Sequence, residues 1–207
     1  MSGVPVGSTC KVTEAPPGTD WSVSLPADIT VTAAGPNTAT VTNTYVAVPT
    51  VVLGKTRGFW GNRVGNSILS AAAPSPFPLS LGGALEKVDV LNLGASNTYL
   101  RGNGCTIDTT ACKNTRVQRG TVETLLAQTL ALTYNARYVS GYNGQTVAGL
   151  GCTVDPVLTS LGLSASSTVD QVRIASNALI NGLHLPATTQ AQGGAMNALL
   201  GCLNREA

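Results

Sequence analysis

Residues 121–139 read TVETLLAQTLALTYNARYV, and this stretch decides what the larger part of the chain can be. Val122, Leu125, Leu126, Thr129, Leu132, Thr133 and Ala136 recur at three- and four-residue spacing, while Gln128 and Arg137 fall away from them. That periodicity lays an apolar stripe along a helix of about 17 to 20 residues. A second helix opens at Thr168, which with Gln171 forms a capping box; Val172, Ala175, Leu179 and Leu183 make its stripe and Gly182 lies near its end. A third is expected from about Thr189 to Leu203, carrying Met196, Leu199, Leu200 and Cys202, with Gly193 and Gly194 each weakening its first half by about 1 kcal/mol. Upstream, three prolines in the run SAAAPSPFPLS fix φ and remove backbone donors, so the chain between Ser70 and Pro78 is a loop, followed by a short helix around Leu85 to Leu91.

The first 46 residues have a different period. CKVTE, WSVSL, DITVT and TATVTNTYV alternate with period two, and APPGTD, PA and AAGPN separate them. β-Branched residues at every second position between Pro, Gly, Asn and Asp clusters are half-buried antiparallel strands joined by tight turns. Val4, Val6, Val12, Trp21, Val23, Leu25, Ile29, Val31, Val41 and Tyr45 would supply the inward face. Four short strands bury little apolar surface, so further strands are needed from elsewhere. The fold class is therefore α+β and multidomain: a small antiparallel β-sandwich-like unit over 1–47, a linker or last strand over 48–55, and a mainly helical, disulfide-containing module over 56–207.

Composition limits the partners. Charged residues make up 11% of the 207, against about 25% in ordinary soluble domains. A formal charge of +2 gives no field to hold a nucleic acid or an anionic membrane. No run approaches the roughly 18 to 20 apolar residues of a membrane span, and MSGVPVGSTC (1–10) has neither the charged start nor the apolar centre of a signal peptide. The five cysteines, Cys10, Cys105, Cys112, Cys152 and Cys202, contain no C-x-x-C and share the chain with one histidine, His184, which argues against zinc and thioredoxin-like chemistry. Cys105 and Cys112 flank a short polar loop, and Cys152 and Cys202 bracket the last third; two disulfides fit, leaving Cys10 unpaired or intermolecular. The alternative is five reduced, buried thiols.

Two stretches resemble known families. CKVTEAPPGTDW followed by TATVTNTY is similar to the second half of the Cna-B or prealbumin-like repeats of bacterial surface proteins. In members with internal isopeptide bonds a glutamate assists attack of a first-strand lysine on an asparagine; by position the resemblance implies Glu14 and Asn43 for these roles, while no residue matches the lysine and Cys10 stands where tyrosine is frequent. The resemblance also implies a missing strand that pairs with Cys10, so the chain is expected to be a fragment of a longer surface protein or to take strands from a neighbouring subunit. TRGFWGNRVGNSIL (56–69), with Gly58, Phe59, Trp60, Asn62 and Gly65, resembles a secreted bacterial module that opens with G-F-W-x-N-x-x-G. Arg57, Phe59, Trp60 and Asn62 together suit a stacking platform for a sugar ring or a protein hot spot; alternatively the rings seed an aromatic-poor core and Asn62 caps a helix starting at Arg63.

Catalytic signals are weak. His184 is the single imidazole base and would need Asp155 or Asp170 and a serine, yet no nucleophile elbow, phosphate loop or carboxylate pair is present. Asp108 and Asp155 supply too few oxygens for calcium. The expected function is a non-enzymatic, extracellular or cell-surface bacterial protein, structural or adhesive. Its partners would be other surface-protein domains or like subunits and a carbohydrate or protein ligand, with no cofactor, nucleic acid or membrane insertion. The alternatives are a self-assembling fibre subunit whose incomplete N-terminal sandwich receives a donor strand, and an extracellular hydrolase using His184.

Overall fold

Two patterns of hydrophobic spacing give two units, Met1–Thr50 and Val51–Ala207, in a computed structural model that describes residues 3–16, 21–34, 36–45, 51–107, 112–113 and 116–205. The first unit holds strands β1 (Thr9–Cys10), β2 (Trp21–Ser24), β3 (Ile29–Thr30) and β4 (Thr42–Tyr45). β1 pairs antiparallel with β3, Cys10 opposite Ile29, and β2 with β4, Val23 opposite Asn43. Each strand has one strand partner among the described residues, which leaves an open edge on both ribbons.

The alternation places Val12, Val23, Ile29, Val31 and Val41 half inside, but Val4, Val6, Trp21 and Leu25, expected to face inward, are exposed; the side chain of Tyr45 lies outside the described residues. Among the described residues the strands form two separate two-stranded ribbons, and neither gains a third strand that would extend a sheet over those side chains. Among the described residues of this unit none is fully buried.

The second unit is organised by α4 (Arg119–Tyr138). The expected apolar stripe is there, but Ala127, Leu130, Ala131, Tyr134 and Asn135 are buried as well, so α4 is covered on more than one face and runs through the middle of the unit. Around it pack α1 (Arg57–Trp60), α3 (Leu93–Leu100), α5 (Val169–Asn181) and α6 (Gln190–Leu203), while α2 (Arg63–Ala71) packs against α1 and α3. Thr168 and Gln171 close the capping box of α5, and Thr189 and Gln192 form a second one on α6. Gly193 belongs to packing: a Cβ there would lie 3.0 Å from both Thr121 Cγ2 and Val117 Cγ1, so glycine is what lets α6 approach the start of α4.

The segment expected as a helix around Leu85 to Leu91 is instead half of a hairpin, β5 (Leu79–Gly82) against β6 (Lys87–Val90). Lys87-Val88-Asp89-Val90 alternates, and Val88 and Val90 are fully buried. The chain reverses at Gly82, whose φ of +88° is open to glycine, and Gly83 donates to the Glu86 carbonyl. Asn177 and Asn181, one turn apart on α5, hold the hairpin: Asn177 Oδ1 accepts from the Gly82 amide at 2.8 Å, and Asn181 Oδ1 from the Leu85 amide at 2.8 Å and the Glu86 amide at 3.2 Å.

Cys105 is bonded to Cys112 and Cys152 to Cys202, with Cα separations of 5.6 and 5.9 Å, and Cys10 is free and half-buried. Two disulfides are the mark of an oxidising environment. Among the described residues no helix is long and apolar enough to cross a membrane.

Candidate functional site

The segment 51–60 leads into the aromatic motif, and its backbone sits on α4. The Lys55 amide donates to Asn135 Oδ1 at 2.7 Å and the Lys55 carbonyl accepts from Asn135 Nδ2 at 2.8 Å. Gly54 has no room for a side chain, since a Cβ there would lie 2.8 Å from Asn135 Nδ2 and from the Tyr142 hydroxyl. Thr56 then caps α1, its hydroxyl accepting from the Phe59 amide at 3.0 Å, and Asn62 caps α2, its Oδ1 accepting from Val64 and Gly65 at 2.8 and 3.0 Å. Gly65 is the second close approach: a Cβ there would run into the Phe59 carbonyl and lie 2.6 Å from Trp60 Cα.

Of Arg57, Phe59, Trp60 and Asn62, the residues expected as a binding platform, Trp60 is turned inward, Arg57 and Phe59 are half-buried and Asn62 is exposed. Trp60 is 1% exposed, and its indole N–H donates to Asn135 Oδ1 at 3.0 Å. Its ring meets Phe59 edge-on at 5.2 Å and packs on Tyr134 and Tyr138 at 5.5 and 5.9 Å. Phe59 is half-buried beneath Lys55 Nζ, 5.5 Å from the ring centroid, and Asn62 spends its carbonyl oxygen on the cap. In a unit with few aromatics these rings are the large side chains available to fill the core, and they are used for that.

The residue that sequence reasoning missed here is Asn135. Fully buried in α4, its carboxamide makes four hydrogen bonds: two accepted, from Lys55 and Trp60, and two donated, to the Lys55 carbonyl and, at 2.9 Å, to Asn204 Oδ1. Asn204 in turn donates to the Gln128 carbonyl and Oε1, both at 2.9 Å. The available signal was a carboxamide inside an apolar helical run, which implies partners.

His184 is placed by the loop between α5 and α6. Its Nε2 lies 2.6 Å from Glu86 Oε2, and Glu86 is 7% exposed. Neither expected carboxylate partner reaches it: Asp155 caps the 3₁₀ turn Pro156–Leu161 through the Val157 amide at 2.9 Å, and Asp170 is bonded to Arg173 at 2.8 Å. Among the described residues no Ser, Thr or Cys side chain is hydrogen-bonded to His184. Asp108, the other carboxylate weighed for calcium, lies outside the described residues, among which no cluster of metal-ligating side chains occurs.

In the first unit the structure brings together the two residues singled out by position. Asn43 on β4 donates from Nδ2 to Glu14 Oε1 at 2.8 Å, across 29 residues of sequence, and both side chains are exposed. A carboxyl group held on a carboxamide can carry protons to and from it. Cys10 lines a groove of about 420 Å³ in the same unit with Val4, Val12, Ile29, Val31 and Asn37.

No curated protein and no solved structure matches the chain. Residues 1–46, the stretch that carries both the paired ribbons and the Glu14–Asn43 contact, are similar to the family described as Domain of unknown function (DUF5979).

Proposed function

We propose that this chain is a non-enzymatic structural or adhesive protein of the bacterial surface or extracellular matrix. Its first unit is a Cna-B or prealbumin-like β unit completed by a further β-strand, and its second is a disulfide-stapled helical module. The observation that carries the proposal is the state of the first unit among its described residues: two ribbons with open edges, a groove of about 420 Å³ lined by Val4, Val12, Ile29 and Val31 together with Cys10 and Asn37, and no fully buried residue. Such a unit gains a core only by pairing with more chain. The Glu14–Asn43 contact supports the Cna-B-like reading, because that chemistry needs a carboxyl group on the asparagine. An incoming lysine amine would attack the Asn43 carboxamide carbon and ammonia would leave, Glu14 relaying the proton. The two disulfides support an exported location.

Fractionation of the producing cells tests the location: the oxidised protein belongs on the surface or in the matrix, and a reduced protein in the cytosol overturns the proposal. A second reading, a self-assembling fibre subunit, is favoured by the same groove, which a strand of a like subunit would fill. Intact mass after alkylation, with solution size, separates the two. A monomer with one free thiol supports the surface module; strand-exchanged or Cys10-linked multimers make assembly the function.

A further inference from the structure

The loop 151–156 and the last turns of α6 enclose a cleft of about 410 Å³, and the Cys152–Cys202 disulfide forms part of its wall. Arg205 closes one side. Its Nε donates to the Cys202 carbonyl at 2.9 Å, and its Nη2 stands 2.8 Å from Cys202 Sγ and 3.7 Å from Cys152 Sγ. Cys202 is half-buried, whereas Cys152 is almost fully covered. Asp155, the carboxylate of the same cleft, is turned to the Val157 amide at 2.9 Å.

A guanidinium on a disulfide acts twice in thiol exchange. It draws an anionic nucleophile to the sulfurs, and it stabilises the negative charge spread along three sulfurs during displacement and left on the departing one. Among the described residues the Cys105–Cys112 sulfurs have no such hydrogen-bonded cation. The shape of the cleft, the partial exposure of Cys202 and the position of Arg205 are three separate features that coincide at one bond.

We propose that Cys152–Cys202 is a thiol–disulfide exchange site for a small anionic thiol. The thiolate attacks Cys202 Sγ and forms a mixed disulfide with it; the Cys152–Cys202 bond breaks, and its electron pair leaves on Cys152 Sγ as a thiolate neutralised by Arg205. One disulfide is exchanged for another and no external oxidant is consumed. This site does not depend on the surface assignment above, which concerns the first unit and the location.

The test uses the folded full-length chain, treated with mercaptoethanesulfonate or with cationic cysteamine, quenched by alkylation and mapped by peptide mass. The expected result is a sulfonate adduct on Cys202 with Cys152 alkylated, formed before Cys105–Cys112 reacts and faster than with cysteamine. Arg205→Gln should slow the sulfonate reaction roughly tenfold, the scale on which a neighbouring cation alters thiolate stability, and Arg205→Lys should retain most of the rate. Equal rates in wild type and Arg205→Gln, prior reaction of Cys105–Cys112, or no exchange until denaturant is added would each overturn the proposal. Should Arg205→Gln fail to fold, the order of the two bridges and the ratio of the two thiols in the wild type still decide it.

Discussion

Replacing Asn135 by alanine should destabilise the second unit by roughly 3 to 6 kcal/mol, the cost of leaving two buried groups unpaired together with a small void. The figure follows from what the carboxamide touches. The Trp60 indole N–H and Asn204 Oδ1 are deeply buried and would lose their partner, at about 1–3 kcal/mol each. The amide and carbonyl of Lys55 lie on a half-buried segment, where water can replace the side chain, and add little. Set against a usual total of about 5–15 kcal/mol, the variant would be marginal. Urea unfolding followed by far-ultraviolet circular dichroism reads this directly, because all described helices lie in this unit. Trp60→Phe removes the donor together with part of the packed ring, and the double variant, which cancels the packing loss, should show a coupling on the order of 1 kcal/mol or more between the two sites. A loss below about 1 kcal/mol with an unchanged denaturant slope would refute the reasoning, because it would mean that water takes the place of the carboxamide.

Cys152→Ser should lower the stability of the oxidised protein by about 4 kcal/mol, the chain-entropy value for a loop of this length, and leave the fully reduced protein unchanged; equal losses in both states would point to a packing role instead. Gly65→Ala should cost about 1–3 kcal/mol because its Cβ meets backbone rather than a movable side chain, whereas Gly120→Ala, a helical site with open space, should gain about 0.5–1 kcal/mol. Thermal melts that shift alike for the two would refute this assignment. Burial holds the phenols of Tyr134 and Tyr142 well above the usual tyrosine range. With the folded values raised, their stability contribution is complete below about pH 10 and is lost as pH climbs from there toward the folded values. A spectrophotometric titration should find these two silent until the helices melt, and phenolate formation by all five tyrosines in the folded protein would contradict the packing.

The helices were legible where local pattern and tertiary role agree. Thr168 with Gln171 announced α5, and the leucine spacing of 121–139 announced α4, because capping and amphipathicity are properties of neighbours in sequence. The hairpin at 79–90 was not, since what fixes it is Asn177 and Asn181, almost a hundred residues away, receiving its turn amides. Trp60 was ambiguous for a similar reason: an aromatic beside arginines reads as a surface platform until a buried acceptor is known, and that acceptor is Asn135, 75 residues on. The juxtaposition of Glu14 and Asn43 came from a family resemblance and not from spacing, as strand register between distant segments leaves no mark on either segment alone.

The low charge of the chain becomes intelligible once the work done by amides in the second unit is traced. Asn62 and Asn92 cap α2 and α3, Gln171 and Gln192 complete capping boxes, Asn177 and Asn181 hold the hairpin, and Asn135 and Asn204 join α4 to α6 and to the segment that enters α1. Each such bond contributes about 1 kcal/mol net when its partners are matched. Among the described residues the ion pairs Lys87–Asp89, Arg119–Glu123 and Arg173–Asp170 have solvent-exposed members, and pairs of that kind contribute about 0–1 kcal/mol and weaken with salt. The well-buried carboxylate of Glu86 is bonded instead to the His184 imidazole, 2.6 Å away. The polar side of this fold is therefore carried by groups that do not titrate and are not screened. A scaffold of uncharged clamps and two covalent bridges keeps its geometry across changes of ionic strength that would loosen a scaffold built on surface charge.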